Sequence, residues 1–327
     1  MITLGLEEEV FVTEPLLPTT RSLYYLAKLL WKKPSRNYHL TASNFARGKD
    51  LKYGMMSGLE VATDICHSPL EVITQLRELR AELSKIAMGY IVPLGHLIQI
   101  DAPTNVCALQ IHIGGSEDIE RTYDNIAHFL PAIMLMTANA PFRMGERFGQ
   151  SYRLAVGYAT GPLTGDRFYR FQDLIISKRL GTIEVRALDP VTCTSRIKYV
   201  LDAVYALAQT KDRYPLDLER YKKLRAQVIT NGANSEIVQL ARDLNKYCNF
   251  PVELIQNTQS DTTAKMYEKY GLEETYRHID SLYRVDGIHY KKPSSFVGKF
   301  IQPAAGFLGY YAPKFPYVTY KWLKEKY

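Results

Sequence analysis

The chain has 327 residues, 46% hydrophobic and 23% charged, with 41 basic against 34 acidic side chains for a net charge of +7. Those proportions exclude a low-complexity chain and fit a soluble globular body large enough to bury a sizeable core. The basic residues are scattered rather than blocked, which argues against a dedicated nucleic-acid surface and suits a polyphosphate nucleotide as the anionic partner.

Ile2, Leu4, Leu6, Val10, Phe11 and Val12 form an opening strand interrupted by Glu7-Glu8-Glu9. Side chains two apart on a strand share a face, so Glu7 and Glu9 point the same way, with Gly5 leaving open space beside them. Two like charges on a half-buried strand stay ionised only if a cation joins them; otherwise a pKa must rise. A divalent metal answers that need, and a solvated edge strand is the plainer alternative. Leu23, Leu26 and Leu30 predict a helix over 21–31, followed by a polar stretch over 32–53.

A second strand, Leu59-Glu60-Val61-Ala62-Thr63, sets Glu60 opposite Leu59 and Val61. Ser68-Pro69-Leu70-Glu71 reads as a capping box with proline at the first helical position, and Val72, Leu76, Leu79, Leu83, Ile86 and Tyr90 continue it as a long amphipathic helix. Leu109-Gln110-Ile111-His112-Ile113 is a third strand with Gln110 and His112 on its polar face. Ser116-Glu117-Asp118 caps a helix on Ile119, Tyr123, Ile126, Leu130 and Ile133, and a loop-rich region covers 138–165. Thr182-Ile183-Glu184-Val185-Arg186-Ala187-Leu188 is a fourth strand, with Glu184 and Arg186 together opposite Ile183, Val185 and Ala187. Helical periodicity then runs from about 195 to 284, and an aromatic, turn-rich arm from 294.

Cys66, Cys107, Cys193 and Cys248 lie far apart without a Cys-x-x-Cys pair, so they read as reduced residues of an intracellular protein. The sequence opens on a strand rather than a charged-then-apolar leader. No run is long enough to span a bilayer, since 300–313 contains prolines and glycines between Lys299 and Lys314. A cytoplasmic protein is expected, without a membrane span. Four strands that each pair an apolar face with carboxylate, imidazole, amide or guanidinium groups predict a sheet whose second face is a polar, metal-loaded active site.

Six stretches carry a resemblance: Gly5-Leu6-Glu7-Glu8-Glu9, Leu59-Glu60-Val61-Ala62-Thr63, Gln110-Ile111-His112-Ile113-Gly114, Asn139-Ala140-Pro141-Phe142, Ser151-Tyr152-Arg153, and the fourth strand extended to Asp189. In this order the chain resembles the ATP-dependent carboxylate–amine ligase family, typified by glutamate–cysteine ligase, over about residues 2–207. The resemblance implies an α+β fold similar to glutamine synthetase: a curved, mainly antiparallel sheet forming a funnel, with helices packed on its outer side. One catalytic domain would span 1–327, mostly helical over 195–290 and ending in an extended aromatic tail over 294–327.

It also implies an enzyme that forms an acyl phosphate from ATP and a carboxylate, in this family the γ-carboxyl of glutamate, and joins it to an amine such as cysteine. Two or three Mg²⁺ ions would assist. Glu7 and Glu184 would help hold those on the ATP phosphates, and Glu9 and Glu60 the one nearer the acceptor. His112 is either a further ligand or a hydrogen-bonding residue of the sheet. Arg186 and Glu184 would be catalytic, Arg186 by stabilising the phosphoryl group in flight. Arg153 would clamp the substrate carboxylate bidentately, with Asn139, Gln110 and Tyr158 also in the substrate site.

Two departures stand out. Family members commonly carry His-x-His where this chain has Gln110-Ile111-His112, and the segment over 139–153 is slightly shorter than usual. For Glu60 and Glu184 the plain alternative is a strand-to-strand salt bridge, and for the arginine-rich segment a surface loop. Other readings are a catalytically silent nucleotide-binding homologue acting through protein or anionic partners, and a peripheral membrane protein using the aromatic tail. The state of assembly is open, an oligomer of identical chains included.

Overall fold

In a computed structural model the chain is described over residues 1–14, 17–18, 37–40, 58–87, 89–101, 106–156 and 160–284, with Ile301, Ala304, Ala305, Leu308 and Pro316 besides. The helix expected over 21–31, Tyr158 and most of the aromatic tail lie outside the described residues.

The alternating opening segment forms β1 (Thr3–Glu14), and every strand paired to it runs antiparallel. These partners are β2 (Leu17–Pro18), β4 (Gly58–Ala62), β5 (Tyr90–Val92) and β6 (Leu109–Gly114). With β3 (Tyr38–Leu40), β9 (Leu174–Ser177) and β10 (Thr182–Leu188) they make an 8-stranded sheet in the order β3-β4-β1-β6-β10-β9, with β2 and β5 paired to β1 off that path. A separate hairpin joins β7 (Phe142–Arg143) to β8 (Glu146–Arg147). The molecule is therefore α+β with a mainly antiparallel sheet.

Period-two alternation fixes which face is buried. Leu4, Leu6, Val10 and Val12 of β1 share a core with Leu59 and Val61, Leu109, Ile111 and Ile113, and Ile183 and Val185. Helices cover that face: α1 (Pro69–Ile86), α2 (Ile119–Thr137) and α4 (Thr194–Gln209) contribute Leu76, Ile126 and Leu201 to the same core. Ser68 caps α1 by accepting from Glu71 N, while the Glu71 carboxylate accepts from His67 N rather than closing a reciprocal box. Asp118 caps α2. Almost the whole circumference of α2 is buried, the pattern of a helix enclosed by others rather than laid on a surface.

The short α3 (Tyr152–Val156), α5 (Leu218–Asn231), α6 (Ser235–Leu244) and α7 (Val252–Gln256) follow, and α8 (Gln259–Tyr283) ends the described body. Gly271, at φ 75°, breaks α8 in its middle. Only the end of this last helix, at Tyr283, joins the larger core beneath the other helices. Its Ala264, Tyr276 and Ile279 pack with Phe11, Tyr90 and Val92 in a second core. Phe11 has the parity of Glu7 and Glu9, so the polar face of the sheet is closed by apolar packing at that end. Among the described residues no helix is long and apolar enough to cross a membrane.

Candidate active site

Antiparallel register assembles the site. Glu9 lies directly opposite Glu60, Glu7 opposite Gln110, Gly5 opposite His112, and His112 opposite Glu184. Opposed residues share a face, so β4, β1, β6 and β10 bring Glu60, Glu9, Glu7, Gln110, His112 and Glu184 onto one surface. The absent side chain at Gly5 lets His112 reach diagonally to Glu7, with Nε2 at 3.4 Å from Oε1. Arg186 Nη1 donates to Glu184 Oε1 in a close ion pair, while Arg186 Nε and His112 Nδ1 have no hydrogen-bond partner among the described residues.

The carboxylates feel one another. Burial, with the charges of Glu9, Glu7 and Glu184, pushes the Glu60 carboxyl up to about 9. Burial and the charge of Glu7 raise Glu9 to about 7, although its Oε2 accepts from Ala108 N at 2.7 Å and Arg153 and Arg186 oppose the shift. Burial works against a charged His112, yet its contact with Glu7 and the charges of Glu7 and Glu184 lift it above the ordinary imidazole value. The apolar surroundings and Glu9 hold the nearby Cys107 thiol well above its usual range, which marks it as an inert packing residue.

Two residues expected to contact substrate, Asn139 and Arg153, each have protein hydrogen-bond partners. Asn139 is buried, donating through Nδ2 to Pro93 O at 2.7 Å and Pro190 O at 3.1 Å and accepting from Thr263 Oγ1 at 3.0 Å. Arg153 is 3% exposed; its Nε donates to Asp189 Oδ1 at 2.7 Å and its two terminal nitrogens to the Arg186 carbonyl at 3.4 and 3.3 Å. The neighbouring arginines are also paired, Arg143 with Asp101 and Arg147 with Asp261.

Asp189 was given no role by sequence reasoning. It accepts from both Arg153 and Asn139 N, so three of the six motif stretches meet on its carboxylate. The signal was present: an Asp inside the apolar run Ala187-Leu188-Asp189-Pro190-Val191 must find a cation once buried. Among the described residues no group of three or more His, Cys, Asp or Glu side chains stands arranged to hold a metal ion.

The architecture has known counterparts among ligases. A glutamate–cysteine ligase from Francisella tularensis, solved in complex with AMP, superposes at a TM-score of 0.55 and 10% identity over 96% of this chain and 94% of that one. A bifunctional glutathione synthetase from Pasteurella multocida superposes at 0.56 and 11% identity over 94% of this chain. The match covers 52% of the synthetase, so this chain spans about half the length of that protein. No protein-family model and no curated protein matches the sequence. The likeness establishes the fold: this chain shares that of a glutamate–cysteine ligase, as its motifs led one to expect.

Proposed function

We propose that this protein is an ATP- and Mg²⁺-dependent carboxylate–amine ligase, with glutamate or a glutamate-like acid as the carboxylate substrate. The observation that carries this reading is the register: it lines four glutamates and His112 along one face of an antiparallel sheet, with Arg186 paired to Glu184, in a fold shared with a glutamate–cysteine ligase. On this reading the polar face is the wall of a curved funnel.

The donor set suits Mg²⁺. Carboxylates this close raise one another's pKa even with Arg153 and Arg186 nearby, which favours a divalent cation among them, and Mg²⁺ takes one or two carboxylates and completes its shell with phosphate oxygens and water. Such an ion needs no cage of three protein ligands. Glu9 and Glu60 would form one carboxylate pair, and Glu7 and Glu184, with His112 beside them, would offer oxygens to an ion on the triphosphate. Bound there, Mg²⁺ would neutralise charge on the phosphates.

The residues of the chain supply position and charge. Arg186, whose Nε has no hydrogen-bond partner among the described residues, can donate to an oxygen of the phosphoryl group as it leaves ATP. Attack by the substrate carboxylate on the γ-phosphorus would give an acyl phosphate and ADP; attack by the amine on its carbonyl carbon would then form the amide and release phosphate. Gln110, opposite Glu7, would contribute an amide oxygen or donor where relatives of this type carry imidazole. Tyr158 remains the proposed substrate contact outside the described residues.

Release of ADP from Mg·ATP with glutamate and a panel of amines tests the proposal. Acid- and amine-dependent turnover is expected, with Glu184→Gln reducing it by on the order of a hundredfold. No turnover with any glutamate-like acid, or unchanged turnover in Glu184→Gln, would leave the silent nucleotide-binding homologue as the reading.

A further inference from the structure

Arg153 is held through Nε by the Asp189 carboxylate and through its terminal nitrogens by the Arg186 carbonyl, and the position of these bonds suggests a task within the protein. The register of β10 against β6 shifts between Val185 and Leu188, so the strand bulges at Arg186 and Ala187. Bulges beside active sites re-aim a side chain, and their extra backbone groups must be bonded from elsewhere. Here the Arg186 N–H donates to Asp173 O at 2.8 Å, one step beyond the β9 register, while the Arg186 carbonyl, whose ladder partner Asp173 N–H donates to Gly161 O, accepts from Arg153.

Each of these partners is itself pinned by a buried ion pair. Arg225 and Tyr221 hold the Asp173 carboxylate, with Tyr221 Oη at 2.7 Å. Asp189, 1% exposed, holds Arg153 and accepts from Asn139 N at 2.9 Å. Gly95 makes the second pair possible, because a Cβ there would fall 2.4 Å from Asp189 Oδ1. Buried pairs of this kind seldom stabilise a fold beyond what apolar side chains would. An apolar pair, however, could not bond the carbonyl of a bulge.

We infer that Arg153 and Asp189 are positioning residues: together they brace the β10 bulge and so set where the Arg186 guanidinium stands over the site. The consequence for catalysis rests on the ligase reading; the brace itself does not.

The test reads Arg186 directly. In protein labelled with ¹⁵N-arginine, the Arg186 Nε–Hε resonance is identified by its loss in Arg186→Lys. Arg153→Lys keeps the charge beside Asp189, but one ammonium cannot serve both the carboxylate and the carbonyl. Gly95→Ala displaces the carboxylate while leaving both charges present. The expected result is a displaced Arg186 resonance in each variant, while those of Arg80 and Arg284, bonded through Nε to Glu8 and Asp280, stay fixed. Should Arg153→Lys not fold, Gly95→Ala is read in the same way.

An unmoved Arg186 resonance, or all three arginine resonances moving together, overturns the inference. In an active ligase the same variants should lower kcat on the order of ten- to a hundredfold with KM for the acid nearly unchanged. A raised KM with kcat intact would instead mark Arg153 as a substrate contact. An inactive wild type would end the ligase reading and leave the resonances to decide the brace.

Discussion

Of the three successive glutamates that open the sequence, the middle one turns inward. Glu8 has the parity of Leu6 and Val10, and its carboxylate is fully buried against Arg80, with Tyr283 Oη donating at 3.0 Å. Arg80 also donates to Val191 O and Thr192 O, both at 2.7 Å. Removing one member would strand a buried charge, so Arg80→Leu should cost about 3–5 kcal/mol in urea unfolding. Its outward neighbours behave in the opposite sense. Glu60 is held near its protonated form by burial and three other carboxylates, and this disfavours the folded state at neutral pH. Glu60→Gln should therefore raise stability in metal-free buffer by about 1–3 kcal/mol. On the ligase reading the same change should also reduce the thermal shift expected with Mg·ATP, and scanning calorimetry with and without ligand reads both effects. Alternation alone separated Glu7 and Glu9 from the core. The partner of Glu8 was not legible, since Arg80 sits 72 positions away on a different element.

Strands that alternate over five or more residues were legible as elements, and β1, β4, β6 and β10 fall where their patterns put them. The short ones were not. All of Tyr90, Ile91 and Val92 in β5 are buried, so no alternation marks them. Residues 174–177 became a strand because β10 offers an edge, a long-range cause that periodicity cannot carry. The capping of α1 and α2 was readable because it depends on residues three apart. Packing between helices then adds what no cap predicts. His128 of α2 packs edge-on to Phe129 and tilted against Tyr214, and burial, aided by the charge of Arg220, lowers its pKa to about 4 despite Asp243 nearby. The folded protein thus keeps His128 neutral down to about pH 4, whereas the unfolded chain takes up a proton near pH 6.5. Stability should fall as pH drops through that window, by about 1–3 kcal/mol, and be unaffected by this group above it. His128→Phe should flatten the acid limb of a pH–Tm curve; an unchanged slope would assign it to other groups.

At the level of the whole molecule, two cores meet on β1, the larger beneath the helices and the smaller around Phe11. Sequence patterning indicated the first, because apolar parity defines it. It missed the second, since α8 closes over the polar side from more than 240 residues away along the chain. Phe11→Ala should cost about 3–5 kcal/mol. It should also expose the segment Gln259–Tyr283 to limited proteolysis before the main body opens. Cleavage elsewhere first would mean that the smaller core does not hold this helix to the sheet.

The missing side chain at position 5 has a practical reach. A Cβ placed there would meet only the Cβ of His112, at 3.8 Å, an ordinary van der Waals contact. The floor beneath the glutamates can therefore carry a methyl, and Gly5→Ala should fold normally while narrowing the gap through which His112 reaches Glu7, a steric dial on that contact which leaves every charge in place.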